Sequence, residues 1–176
     1  IGGFADKYSD QVKSLSFIAP AGFGKVQTSI PFFMKIPGVI EWAMHVLADR
    51  FYGSAISSET THSNDPLSIN EEEFQQLFSF QMQFKGFRES LASTMRNFNL
   101  FDAREMFEKV AAKNIPSIAI WGDNDGIVSY KGAETYSEIF HEGKVITIED
   151  GTHDITYRQP SDVLEAIKIF LASQIS

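Results

Sequence analysis

Two short runs carry side chains that can exchange a proton. The first, Ile118-Ala119-Ile120-Trp121-Gly122-Asp123-Asn124-Asp125, places two carboxylates directly behind an apolar stretch. The second, Gly151-Thr152-His153-Asp154, holds an imidazole 28 residues after Asp125. A carboxylate beside an imidazole fixes its tautomer and stabilises its charged form, and the imidazole can then take a proton from a nucleophile and give it to a leaving group. The two runs therefore offer the acid and the base of a three-member catalytic arrangement. They offer no nucleophile, because Ser14, Ser16, Ser29 and Ser54 stand in no G-x-S-x-G turn between a strand and a helix. Asp123 and Asp125 are both candidates for the acid, and each can also be a solvated turn residue, since Asp and Asn favour turns.

Of four histidines, His153 has the context for chemistry: it follows an expected strand, at the sheet end where loops of open α/β sheets build their sites. His45 and His62 fall in a helical stretch and its polar loop, and His141 in a helix-to-strand turn, so all three are taken as structural. No pair of histidines has the His-Glu-x-x-His spacing of a zinc site. Gly2-Gly3 and Gly22-Phe23-Gly24 lack the Lys-Ser/Thr or G-x-G-x-x-G surroundings of a phosphate cradle. Neither a metal nor a cofactor is expected.

The elements that must position the pair follow from pattern. Residues 13–19, with Leu15, Phe17 and Ile18, predict a buried strand stopped by Pro20 and Gly22. A second strand is expected over 117–121 after Pro116, and a third over 144–148. Between them, Ala133, Tyr136, Ile139 and Phe140 have helical spacing over 130–140. The last helix carries Val163, Leu164, Ile167, Phe170 and Leu171 behind Pro160, with Ser161 read as its cap. Strand, helix, strand, helix is the pattern of a parallel sheet with crossover helices. From about residue 24 to 99 no strand is convincing; helical patches rich in Phe, Met and Gln appear instead. One covers 31–52, and another begins at Glu71, Glu72 and Glu73, carboxylates that suit the positive end of a helix. The polar run 57–65 reads as a loop between the two halves of an inserted helical cap.

With 176 residues, the chain has the length of one domain and enough apolar residues to bury a core. Its formal charge of −8 excludes the clustered basic surface that nucleic acid requires. The absence of cysteine excludes disulfides and thiolate metal sites. No apolar stretch approaches the roughly 20 residues of a membrane span.

On Val12-Lys13-Ser14-Leu15-Ser16-Phe17-Ile18-Ala19-Pro20, the acid run and Gly151-Thr152-His153 with Pro160 and Phe170-Leu171, the chain resembles the C-terminal portion of a lidded α/β-hydrolase. The resemblance implies an α/β fold of about three parallel strands with flanking helices, a core of residues 1–24 and 100–176, and a helical lid over 25–99. It selects Asp125 over Asp123 as the acid and His153 as the base, in the family's order of nucleophile, acid, histidine. It also implies a small-molecule ester or acyl substrate, reached by a serine upstream of Ile1, with Ile1-Gly2-Gly3 inside the helix that follows the nucleophile. The many Phe residues of the lid then line an apolar pocket. The 176 residues alone are expected not to hydrolyse esters and to expose a strand edge and an apolar face. Two alternatives are an aspartate nucleophile, as in epoxide hydrolases and haloalkane dehalogenases, and a hydrolase-like protein without catalysis.

Overall fold

The computed structural model describes residues 1–24, 36, 38–43, 46, 64–97 and 102–174. Three parallel strands, β1 (Leu15–Ile18), β2 (Ser117–Gly122) and β3 (Lys144–Ile148), lie in sequence order with β2 in the middle. Leu15 faces Ser117 across the first pair, and Gly122 faces Ile148 across the second. All six residues of β2 are buried. An uninterrupted apolar run is what a parallel strand covered on both faces requires.

The two faces of β2 feed two cores. Ala119 and Trp121 point into an aromatic layer with Phe17, Phe23, Phe107, Tyr136 and Phe140. This layer lies under α1 (Gly2–Lys7), α4 (Arg104–Ala111) and α5 (Gly132–Ile139). Phe17 meets Phe23 and Phe107 edge-on at 5.8 and 5.7 Å, an arrangement that sets ring edges against the electron-rich ring faces. Ile118 and Ile120 point the other way, into a layer with Ile148, Ile155, Val163 and Phe170 under α6 (Ile155–Arg158) and α7 (Pro160–Ala172). The expected α/β class and its three strands are present. The first strand is shorter than expected, ending where Ala19 turns to a φ of 40°.

Two expectations need revision. Helix α4 went unread in the sequence, although Phe107 and Val110 form its buried stripe. Ser161 is not the cap of the last helix: Pro160 is already its first residue, because a ring-fixed φ suits a position whose N–H has no partner in the helix. The Ser161 amide instead donates to the carboxylate of Asp65 at 2.8 Å. Between β1 and α4 the described residues include α2 (Glu71–Met82) and α3 (Phe87–Asn97). At the start of α2 Asn70 accepts from the Glu73 amide, and the Glu73 carboxylate accepts from the Asn70 amide. This reciprocal cap satisfies two amides that the helix itself cannot bond. Arg96 of α3 pairs with Glu41, and that bond holds the Glu41 carboxyl below its ordinary pKa. The patch 31–52 lies for the most part outside the described residues, as do His45, His62, Ser29 and Ser54. No helix among the described residues is long and apolar enough to cross a membrane.

The Tyr136 hydroxyl shares a 2.7 Å bond with Ser117 Oγ inside the aromatic layer. Burial pushes its pKa up to about 12, against a smaller lowering by Ser117. A folded-state pKa above the unfolded value gives stability that is complete below pH ~10 and is lost as pH rises toward the folded value. We expect one tyrosine to stay un-ionised until the chain unfolds in alkali, and Tyr136→Phe to remove that signal from a tyrosinate absorbance titration. The substitution strands the Ser117 hydroxyl and lowers stability by about 1–2 kcal/mol. A full complement of ordinary tyrosine titrations in the unmodified chain contradicts this.

Candidate active site

The C-terminal ends of β2 and β3 release two loops that touch through their backbones. Gly122 ends β2, and Gly151 stands three residues past the end of β3. A Cβ placed on Gly122 would lie 2.1 Å from the Gly151 carbonyl oxygen, and one placed on Gly151 would lie 2.8 Å from Gly122 Cα. Only residues without side chains allow these backbones to meet. The contact is fastened by Asp123 N–H on Ile148 O at 3.2 Å and Asn124 N–H on Gly151 O at 2.9 Å. Asp150, with a φ of 53°, turns the chain ahead of Gly151, a conformation that Asp tolerates better than most residues.

Asp125 sits in this first loop with its side chain fully buried. One carboxylate oxygen, Oδ1, accepts from the Ile127 and Val128 amides at 2.9 and 2.7 Å. The same loop is tied to the core by the Trp121 indole N–H, which donates to Val128 O at 2.9 Å. The orientation of the carboxylate is thus set by backbone, which leaves Oδ2 to face His153 Nδ1 at 3.0 Å. A carboxylate only accepts hydrogen bonds, so a neutral imidazole there carries its proton on Nδ1 and keeps Nε2 basic. The His153 side chain remains about one-third exposed.

Asp125 and His153 are therefore brought together. Asp123 lies exposed on the same loop, and His141 is exposed in the turn between α5 and β3. Ser16 lies on β1 and Ser14 just ahead of it. Sequence reasoning passed over the neighbours of His153. Thr152 Oγ1 donates to Asp154 Oδ1, and Asp154 Oδ2 accepts from Arg158 Nε at 2.9 Å. The four-residue spacing of Asp154 and Arg158 was the available signal, since side chains so spaced are neighbours on a helix.

Over an alignment of 184 residues that covers 95% of this chain, the sequence is 26% identical to Lipase 3 of Moraxella sp. (strain TA144). That alignment takes in 50% of the lipase, so the chain spans about half the length of the curated relative it matches. No family model matches the chain. Among solved structures it is similar to a thermophilic esterase from Thermogutta terrifontis, with a TM-score of 0.66 and 18% identity over 99% of this chain and 61% of that one. It is similar also to a bromoperoxidase from Bacillus anthracis, with a TM-score of 0.63 and 19% identity over 97% of this chain and 64% of that one. The parallel order β1, β2, β3, two loops leaving the same sheet end, and likeness over nearly the whole chain lead to one conclusion: this chain has the α/β-hydrolase fold.

Proposed function

We propose that the chain carries the acid and base of a carboxylic-ester hydrolase, in which Asp125 orients His153 and His153 takes a proton from a serine outside the 176 residues. The observation that carries this is the 3.0 Å contact between His153 Nδ1 and Asp125 Oδ2, made by a carboxylate whose other oxygen is held by two amides. In the proposed reaction His153 Nε2 accepts the serine proton as the oxygen attacks the ester carbonyl. It then donates that proton to the departing alcohol, and a water repeats the sequence on the acyl-enzyme. Asp125 keeps the imidazole in the required tautomer and stabilises its charged form. Residues 25–99 are proposed as a lid over the site; an antiparallel bridge between Phe23 and Asp102 closes the base of this excursion and supports the reading. Likeness to a lipase and an esterase supports an ester rather than another acyl substrate.

The test is labelling by a serine-reactive phosphonate in a longer form of the protein that includes the sequence ahead of Ile1. Expected is a single labelled serine ahead of Ile1, lost with ester turnover in His153→Ala, and no turnover by the 176 residues alone. Turnover by the 176-residue chain that His153→Ala abolishes would overturn the external serine. An unlabelled protein with an aspartate in the nucleophile turn would instead favour attack by a carboxylate.

A further inference from the structure

Arg158 ends α6, five residues after His153, and only one-tenth of its side chain is exposed. Its guanidinium donates in three directions: Nε to Asp154 Oδ2 at 2.9 Å, Nη2 to Glu71 Oε2 at 2.8 Å, and Nη1 to the Ile69 carbonyl at 3.2 Å. Asp154 in turn receives the hydroxyl of Thr152 on its other oxygen. The residues before and after His153 are thus bonded to each other, and that closed pair is bonded to Arg158. The far side of the guanidinium holds Glu71, the first residue of α2, and Ile69 just ahead of it. A second set of contacts runs parallel to it: the Ile69 amide donates to Tyr157 O at 3.1 Å, and the Phe74 ring meets Tyr157 edge-on at 5.0 Å.

We infer that Arg158 is a positioning residue, through which the seating of α2 fixes the backbone that presents His153 to Asp125. The inference rests on the proposed role of the Asp125–His153 pair. Three observations carry it. The residues on either side of His153, Thr152 and Asp154, are bonded to each other, so the backbone that carries the ring is held on both sides. The guanidinium is a rigid planar fork, and the three acceptors it meets among the described residues lie on two separate segments, the His153 loop and the entry of α2. A lysine, with one ammonium centre, cannot hold three acceptors in that geometry. Without the guanidinium, the carboxylates of Asp154 and Glu71 remain near each other with no cation between them, which disfavours the seated arrangement.

The decisive substitution is Glu71→Ala, because Glu71 belongs to α2 and makes no part of the His153 loop; Arg158→Met and Arg158→Lys accompany it. In the 176-residue chain, the downfield Nδ1–H proton resonance of His153 reports its bond to Asp125, and amide hydrogen exchange over Glu71–Met82 reports the seating of α2. Expected in Glu71→Ala is at least a ~10-fold faster exchange in the first turn of α2, together with broadening of the His153 resonance. Arg158→Met should do both more strongly, with partial recovery in Arg158→Lys. In an ester-hydrolysing form of the protein, kcat falls by about 10- to 100-fold with KM little changed, the pattern of a misplaced group rather than a lost binding contact. Loosening of α2 with an unaltered His153 resonance would overturn the inference and leave Arg158 a purely structural clamp. Absence of esterase activity in every form, with the resonance coupled as described, would sink the proposed function and leave the positioning role standing.

Discussion

Asp125→Asn is expected to lower ester turnover by about four orders of magnitude while leaving the fold in place. Such a size follows from which atom of the new amide can face which partner. Asp125 Oδ1 is held by the amides of Ile127 and Val128. Two backbone donors demand an acceptor, so the carbonyl oxygen of the introduced side-chain amide stays there and its nitrogen turns to His153. An NH2 group opposite Nδ1 forces that nitrogen to accept, moves the imidazole proton to Nε2 and removes the base from the side that must receive a proton. Both amides of the loop keep their partner, so stability should change little. The checks are kcat on a simple ester in a form of the protein that hydrolyses one, and the nitrogen chemical shifts of the His153 ring, which should report the opposite tautomer. An unchanged tautomer with undiminished kcat would remove Asp125 from the proposed mechanism.

The other large effect is steric. Gly122→Ala drives a methyl group to within 2.1 Å of the Gly151 oxygen and 2.3 Å of its carbonyl carbon. These are backbone atoms at the end of a parallel pair, and no rotamer change relieves them. The strands must separate or the loop after β3 must lift, and either breaks the Asn124 bond to Gly151. A loss of at least ~3 kcal/mol is expected, a fall in Tm of about 6–12 °C for a chain of this size. Gly3→Ala is the matching control, because nothing lies within 4 Å of a Cβ there and Gly3 sits in α1. There the substitution should stabilise by about 0.5–1 kcal/mol. Equal thermal midpoints for the two variants would show that the loops do not depend on this contact.

The strands and the meeting of Asp125 with His153 were legible because each rests on local pattern. β2 is a continuous apolar run, and Asp125 and His153 follow strand ends in turn-rich sequence. What escaped was set by contacts between distant segments. Arg158 looks like one more charged residue near a helix until Ile69 and Glu71 are beside it. Ser161 resembles a cap because serine is a favoured capping residue, but Pro160 already opens the helix and the carboxylate that serves it belongs to Asp65, 96 positions earlier. Helix α4 was missed for another reason: eight residues with two buried apolar positions make a weak periodic signal.

The bonds from Asp65 to Ser161 have a bearing on how the length of this chain can vary. With the Phe23–Asp102 bridge closing the excursion between β1 and α4, the bonds of Asp65 to Ser161 add a fixed point within it, ahead of α2. Closing a loop costs little more when it grows, about 0.6 kcal/mol for each doubling of its length. Because Asp65 is anchored on the first turn of α7, a change of length in the chain that leads to it adds little entropic cost to the entry of α2. Segment length ahead of Asp65 thus becomes a variable largely separate from the address of the histidine.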